Sequence, residues 1–286
     1  MVHWVPARRA AARYCLALLT VASATAWALN PATADDRWVA DPITGCTVWT
    51  PSVEEGELVS WSGDCTDGKA DGPGVLVWVH GGELVARYEG TMGGGKADGI
   101  GELHYLLEQG YLHYAGEFKE GALNGTGHVI LADGATYEGE FRANRPHGEG
   151  LYEGADGSFY QGDFMNGQPH GVGASVSADG EQYQGEFRDG QRAGTGTLTD
   201  ADGNVYIGRF EFGEPNGTGI WKLATGGVYE GPVKDGKADG KGTFTSVDGD
   251  VYFGSFVDNK PFGAFTVTRA DGTTEEQIWR DGELVQ

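Results

Sequence analysis

Along most of the chain apolar and polar residues alternate at a spacing of two, in short runs separated by glycine-rich turns. Residues two apart share one face of a strand, so the pattern predicts β-strands rather than helices. The alternation also recurs with a fixed period. Tyr114, Tyr137, Tyr160, Tyr183, Tyr206, Tyr229 and Tyr252 stand 23 residues apart, which marks a repeat architecture. Counting from the tyrosine, glycine follows at +2, and phenylalanine stands at +4 (Phe118, Phe141, Phe164, Phe187, Phe210, Phe256), with Val233 the exception. Glycines recur at +11 and +13, as in Gly148 and Gly150. A mostly apolar column lies at +15 (Val129, Tyr152, Ser175, Leu198, Trp221, Phe244, Val267), and an Asp-Gly pair precedes the next tyrosine.

Each period therefore reads as a hairpin. Its first strand turns Tyr, Gly and Phe to one face, and its second turns two glycines and the apolar residue. If the faces coincide, Val129 must oppose Tyr137. A three-residue loop, Ala132-Asp133-Gly134, satisfies this with Gly134 left-handed, whereas a two-residue turn there would turn the apolar column outward. The other connection, residues 119–124, is expected to place Phe118 opposite Gly125. Three rows then cross the strands: Phe with Gly, glycine alone, and Tyr with the +15 residue. Bare backbone between two aromatic rows is either covered by rings leaning over it, a stabilising device in sheets, or left open as a groove. The candidate lining of that groove is Tyr137, Phe141, Tyr160, Phe164, Tyr183, Phe187, Tyr206, Phe210 and Trp221.

The stretch "YEGEFRANRPHGEGLYEGADG", Tyr137 to Gly157, resembles a MORN (membrane occupation and recognition nexus) repeat, and similar copies run from residue 61 to 274. The resemblance implies an all-β fold, an elongated, twisted, single-layer antiparallel sheet of about nine hairpins. It also implies roles in protein assembly, with phospholipid binding in some members. The first copies depart from the pattern: Trp61 opens a unit of 27 residues and Tyr88 one of 26. In "WSGDC" Trp61 takes the tyrosine place and Cys65 the phenylalanine place. Residues 35–60 read as an N-terminal capping segment. Residues 275–286 read as a half-repeat cap, with Trp279 in the phenylalanine place.

Ahead of the array, a basic stretch (Arg8, Arg9, Arg13) precedes a short apolar run from Cys15 to Ala28 and small-residue sites at Ala26–Ala28 and Ala32–Ala34. Residues 1–34 thus read as a secretory signal peptide cleaved after Ala34, and the protein as periplasmic or extracellular. Without them the chain holds 17 basic and 42 acidic residues, a net charge of −25. That balance excludes nucleic acid as a partner and disfavours anionic membranes. Of three cysteines, Cys15 leaves with the signal. Cys46 and Cys65 remain, an even count in an oxidising compartment, and are expected to form a disulfide that staples the exposed sheet edge.

Candidate chemistry is sparse. The histidine spacing gives no metal set, and no cofactor is expected. His147 and His170 share one repeat position with Asn124, Asn216 and Asp239, which suggests a role in capping loops. The +3 acids Glu117, Glu140, Asp163 and Glu186 read as a solvated outward row. "DADGNVYIGRFE", Asp200 to Glu211, has calcium-loop spacing but Val205 where such loops need glycine. Paired carboxylates occur in almost every repeat, so they single out no catalytic site. The expectation is a non-catalytic interaction or assembly module with a protein partner, and homo-oligomers through sheet edges are open to it. An alternative is a carbohydrate-binding module using the aromatic rows and the glycine trough. A phospholipid tether comes third.

Overall fold

A computed structural model describes residues 37–50, 56–107 and 110–286, so the expected signal segment 1–34 lies outside the described residues. Every regular element among them is a β-strand, and the fold is all-β, built of antiparallel hairpins. Two compact units hold the described residues, 37–168 and 169–286.

Both units repeat the same hairpin. Thr136–Arg142 pairs with Arg145–Glu153 on one side and with Ala122–Ile130 on the other. The expected rows are present: Tyr137 lies opposite Val129 and Tyr152, and Gly139 opposite Gly127 and Gly150. The connection between repeats is the expected three-residue loop. Leu131 N donates to Ala135 O at 2.8 Å, Gly134 N donates to Leu131 O at 2.9 Å, and Gly134 has φ +92°. The Asp133 carboxylate secures the turn by accepting from Ala135 N at 2.9 Å.

The other connection differs from expectation. Phe118 lies opposite Leu123 rather than Gly125, and Lys119 opposite Ala122, with a bulge between Gly116 and Phe118. The turn is only two residues long, Glu120 at φ 51° and Gly121 at φ 82°. Two consecutive positive φ values suit the twist of the flanking strands. The bulge takes up the residue that the short turn leaves over. The +11 glycine instead faces the phenylalanine of the following repeat, as Gly125 faces Phe141 and Gly194 faces Phe210.

These tight turns are themselves laddered. Gly121 N donates to Ala97 O at 2.8 Å and Gly167 N to Pro146 O at 2.8 Å in the first unit; Gly213 N donates to Arg192 O at 3.1 Å and Gly236 N to Pro215 O at 2.9 Å in the second. The N-terminal segment uses this edge of turns. Arg37–Ala40 and Thr47–Thr50 form a hairpin, Thr47 pairs in parallel with Lys69, and Trp49 N donates to Gly95 O at 2.8 Å. The Lys69 ammonium sits 4.5 Å over the Trp38 ring, and the Lys96 ammonium 5.5 Å over Trp49.

The Cys46–Cys65 disulfide is present, with Cα atoms 5.7 Å apart. It ties this segment to the first hairpin, where Cys65 lies in the strand Asp64–Thr66 paired with Lys69–His80, while the segment itself runs across the turns. The physical reason is that the turn glycines offer both free carbonyls and flat ground for the tryptophans. Contact with the first strand, Glu57–Trp61, comes through the buried Asp41 carboxylate, which accepts from Trp61 N at 2.9 Å.

Candidate functional site

The nine candidate groove residues all lie on the buried face, each at most 7 % exposed. Their geometry explains why. Tyr114, Tyr137, Tyr183, Tyr206 and Tyr229 each lean over the glycines of their own hairpin, so that a Cβ built on Gly150 would lie 2.4 Å from the Tyr137 hydroxyl oxygen. The hydroxyl passes across the glycine row and donates to the carbonyl of the bulged +3 residue. Tyr137 reaches Glu140 O at 2.9 Å, Tyr160 reaches Asp163 O at 2.8 Å and Tyr183 reaches Glu186 O at 2.9 Å. This bond distinguishes tyrosine from phenylalanine at position 0, because the bulge would otherwise leave that acceptor without its partner.

Phenylalanine completes the packing. In the first unit Phe141 stands edge-to-face against Tyr137 at 5.0 Å and Tyr114 at 5.2 Å, and Phe164 meets Tyr160 and Tyr137 at 5.0 Å each. In the second unit Tyr183 meets Phe187 at 5.0 Å and Phe210 at 4.9 Å, while Tyr206 meets Phe210 at 5.3 Å and Trp221 at 5.0 Å. Every ring is engaged with its neighbours at favourable offsets. The glycine row is filled, and the groove considered from the sequence is closed by the rings expected to line it. Burial also pushes the tyrosine hydroxyls up, to about 12 for Tyr88 and Tyr206.

What remains for recognition is the opposite face. Here the +3 acids have a more definite place than a solvated row. Glu117 folds over Gly125 and accepts from Thr126 N and Thr126 Oγ1, each at 2.9 Å; Glu186 does the same over Gly194 with Thr195, at 2.8 and 3.0 Å. The backbone donor first, and then the hydroxyl, holds both carboxyls below the usual carboxylate range. Around these fixed acids the side chains vary. Position +1 reads Glu138, Gln161, Gln184, Ile207, Glu230, Phe253, all exposed, and position +12 reads Glu149, Val172, Thr195, Thr218, Lys241, Ala264.

The expected loop-capping histidine is visible at His170, whose Nδ1 accepts from Asp189 N at the long distance of 3.5 Å. The calcium-like stretch is a turn: Asp200 Oδ1 accepts from Asp202 N at 3.0 Å and Asn204 N at 2.9 Å. One grouping was not legible from spacing. On the outer face Glu102, His104 and His113 place a ligand atom each within 4.8 Å of one another. Glu102 and His104 are two residues apart, and His113 lies directly across from His104 in the adjoining strand. Hairpin register was the signal that could have found them. Bonds from His113 and then His104 hold the Glu102 carboxyl below its usual range.

The MORN repeat family model matches residues 62–83, 114–136, 137–159, 160–182, 183–205, 206–228 and 229–251. These stretches cover more than half of the chain, and the protein belongs to the MORN repeat family. No curated protein matches it in sequence. Among solved structures it is similar to the TCP domain of SAS-4 (dCPAP) of Drosophila melanogaster in complex with a proline-rich motif of Ana2 (dSTIL). That likeness has 10% identity and a TM-score of 0.37, over 62% of this chain and 90% of that one. It is also similar to a catalytically inactive virginiamycin B lyase from Staphylococcus aureus with quinupristin, at 11% identity and a TM-score of 0.16, over 78% of this chain and 88% of that one. At such TM-scores neither likeness bears on function.

Proposed function

We propose that the protein is an exported, non-catalytic interaction module that binds a protein partner through the outer face of its repeats. One observation carries the reading: the repeats are nearly uniform where they are buried and different where they are exposed. Uniform rings and glycines build the fold. Recognition needs surface that varies, and the +1 and +12 positions supply it, acidic or amide in Glu138, Gln161 and Gln184 and apolar in Ile207 and Phe253. Stacking on a glycan would need exposed ring faces, and the tyrosine and phenylalanine rows are spent on one another. The disulfide supports an oxidising compartment.

A photoreactive residue placed at Ile207 or Phe253, with Asp202 and Asp248 in the loops as controls, tests the reading in cells. The expected result is one adduct of defined mass from the outer positions and none from the loops. Equal labelling at all four positions, or none at any, counts against an outer-face partner. N-terminal sequencing of the extracellular or periplasmic protein tests export, with a mature start at Asp35 expected.

A further inference from the structure

We propose that Glu102, His104 and His113 form a binding site for a divalent transition-metal ion of the zinc type on the outer face of the hairpin Lys96–Leu107 and Gly110–Lys119. The buried pair Leu103 and Tyr114 sets the inner face of these strands, so Glu102, His104 and His113 share the outer one. The two imidazole rings stack with centroids 4.5 Å apart and planes 23° apart. Both Nε2 atoms are aimed at one oxygen: His113 Nε2 lies 2.7 Å and His104 Nε2 3.0 Å from Glu102 Oε1.

Two imidazoles and a carboxylate are a donor set that suits zinc and its neighbours. Ligand bonds of about 2.0–2.2 Å put tetrahedral donors a little over 3 Å apart. An ion would therefore need each Nε2–Oε1 distance to widen by only a few tenths of an ångström. Each neutral imidazole would then keep its one proton on Nδ1 and offer the Nε2 lone pair. Three protein donors leave one position facing solvent, for water or for a donor from a partner. The surrounding charge does not oppose a cation, since Arg87, across from His104, is held by Glu89, which itself lies across from Glu102.

The second argument is that these residues break the repeat. The cross-strand pair that is His104–His113 here is Ile130–Thr136, Glu153–Phe159, Val176–Gln182, Thr199–Val205, Lys222–Val228 and Thr245–Val251 in later hairpins. Sheet propensity asks for β-branched residues at such pairs, and most of the others comply. Histidine on both sides, with a glutamate at the adjacent position, is a departure that the fold does not require.

The test is calorimetric titration of the chelator-stripped full-length protein with Zn2+ alone. One ion per chain is expected, with an upward shift in melting temperature. His104→Gln and His113→Gln should each weaken binding at least tenfold, while His128→Gln, across from Ala115 on the same face, should not. Wild-type protein labelled at histidine should show Nε2 coordination of two rings by 15N shift, a readout that does not depend on any variant folding. No saturable binding, binding that survives both substitutions, or Zn2+ shifts spread over other histidines would overturn the site.

Discussion

Gly196→Ala adds one methyl group to the centre of the glycine row, where it should cost far more than its size suggests. Gly196 lies between Gly185 and Gly208 in the ladder, and its Cβ would fall 2.5 Å from Tyr183 Cε2 and from the Tyr183 hydroxyl oxygen, and 2.6 Å from Cζ. Carbon contacts are comfortable at about 3.5–4.0 Å, so two ring carbons and the hydroxyl oxygen would be overlapped by roughly 1 Å. The ring has nowhere to retreat. Its hydroxyl is bonded to Glu186 O at 2.9 Å, and Phe187 and Phe210 hold it from two sides.

Overpacking of this kind costs about 1–3 kcal/mol. Expelling the ring instead would forfeit the hydroxyl bond, about 1 kcal/mol, and two edge-to-face pairs at about 0.5–1.5 kcal/mol each. The two routes agree on a loss of about 2–3 kcal/mol in urea unfolding of the full chain. Gly180→Ala is the contrast: nothing lies within 4 Å of its Cβ, and φ is +87°. Its cost is backbone strain alone, about 1–2 kcal/mol. The decisive comparison is Gly196→Ala in a Tyr183→Leu background. With the ring gone, alanine should be neutral or stabilising, because a strand glycine is about 0.5–1 kcal/mol worse than alanine. An equal cost in both backgrounds would refute the claim that glycine is there to receive the ring.

Reduction of Cys46–Cys65 should lower stability by about 3 kcal/mol on the chain-entropy account, and alkylation without prior reduction, read by mass spectrometry, should leave both cysteines unmodified. At high pH the fold should fail through its tyrosines: Tyr206, pushed up to about 12 when folded, has an unfolded value near 10. Its contribution is thus complete below about pH 10 and lost as pH rises through about 12. Absorbance at 295 nm should rise together with loss of sheet by circular dichroism, and full ionisation near pH 10 with the sheet intact would contradict the burial. Deleting residues 183–205, one whole period that joins Gln182 to Tyr206, should leave a folded protein of lower stability, whereas deleting Gly185 alone should be worse, since it reverses the face of every residue after it in that strand.

Much of this architecture could be read from the chain because its interior is written at intervals of two and 23. Tyrosine opposite the +15 residue and glycine opposite glycine follow from alternation plus one turn length. Where two turn lengths were compatible with the same spacing, the reading failed. Residues 119–124 admit either a long connection or a two-residue turn with a bulge, and only pairing energies across the strands choose between them. Phe265 shows a further limit. It stands at +13, where the repeat calls for glycine, and its own ring covers Gly254, with Cδ2 2.5 Å from where a Cβ would be. Tyr252 is therefore relieved of that task, a substitution of one ring for another that composition does not reveal.

The outer face was the less legible one for a related reason. A repeat's buried positions must agree with one another, so each copy tests the reading of the rest. Its exposed positions answer to nothing inside the chain. Glu102, His104 and His113 are separated by two and nine residues, a spacing that fits no familiar metal signature. They meet only because Lys96–Leu107 and Gly110–Lys119 pair with His104 directly opposite His113. The same pairing, one repeat later, brings together Ile130 and Thr136. In a protein whose copies share their interior, a functional position is recognised by its departure from the equivalent position in the other copies, and the hairpin register is what makes those positions equivalent.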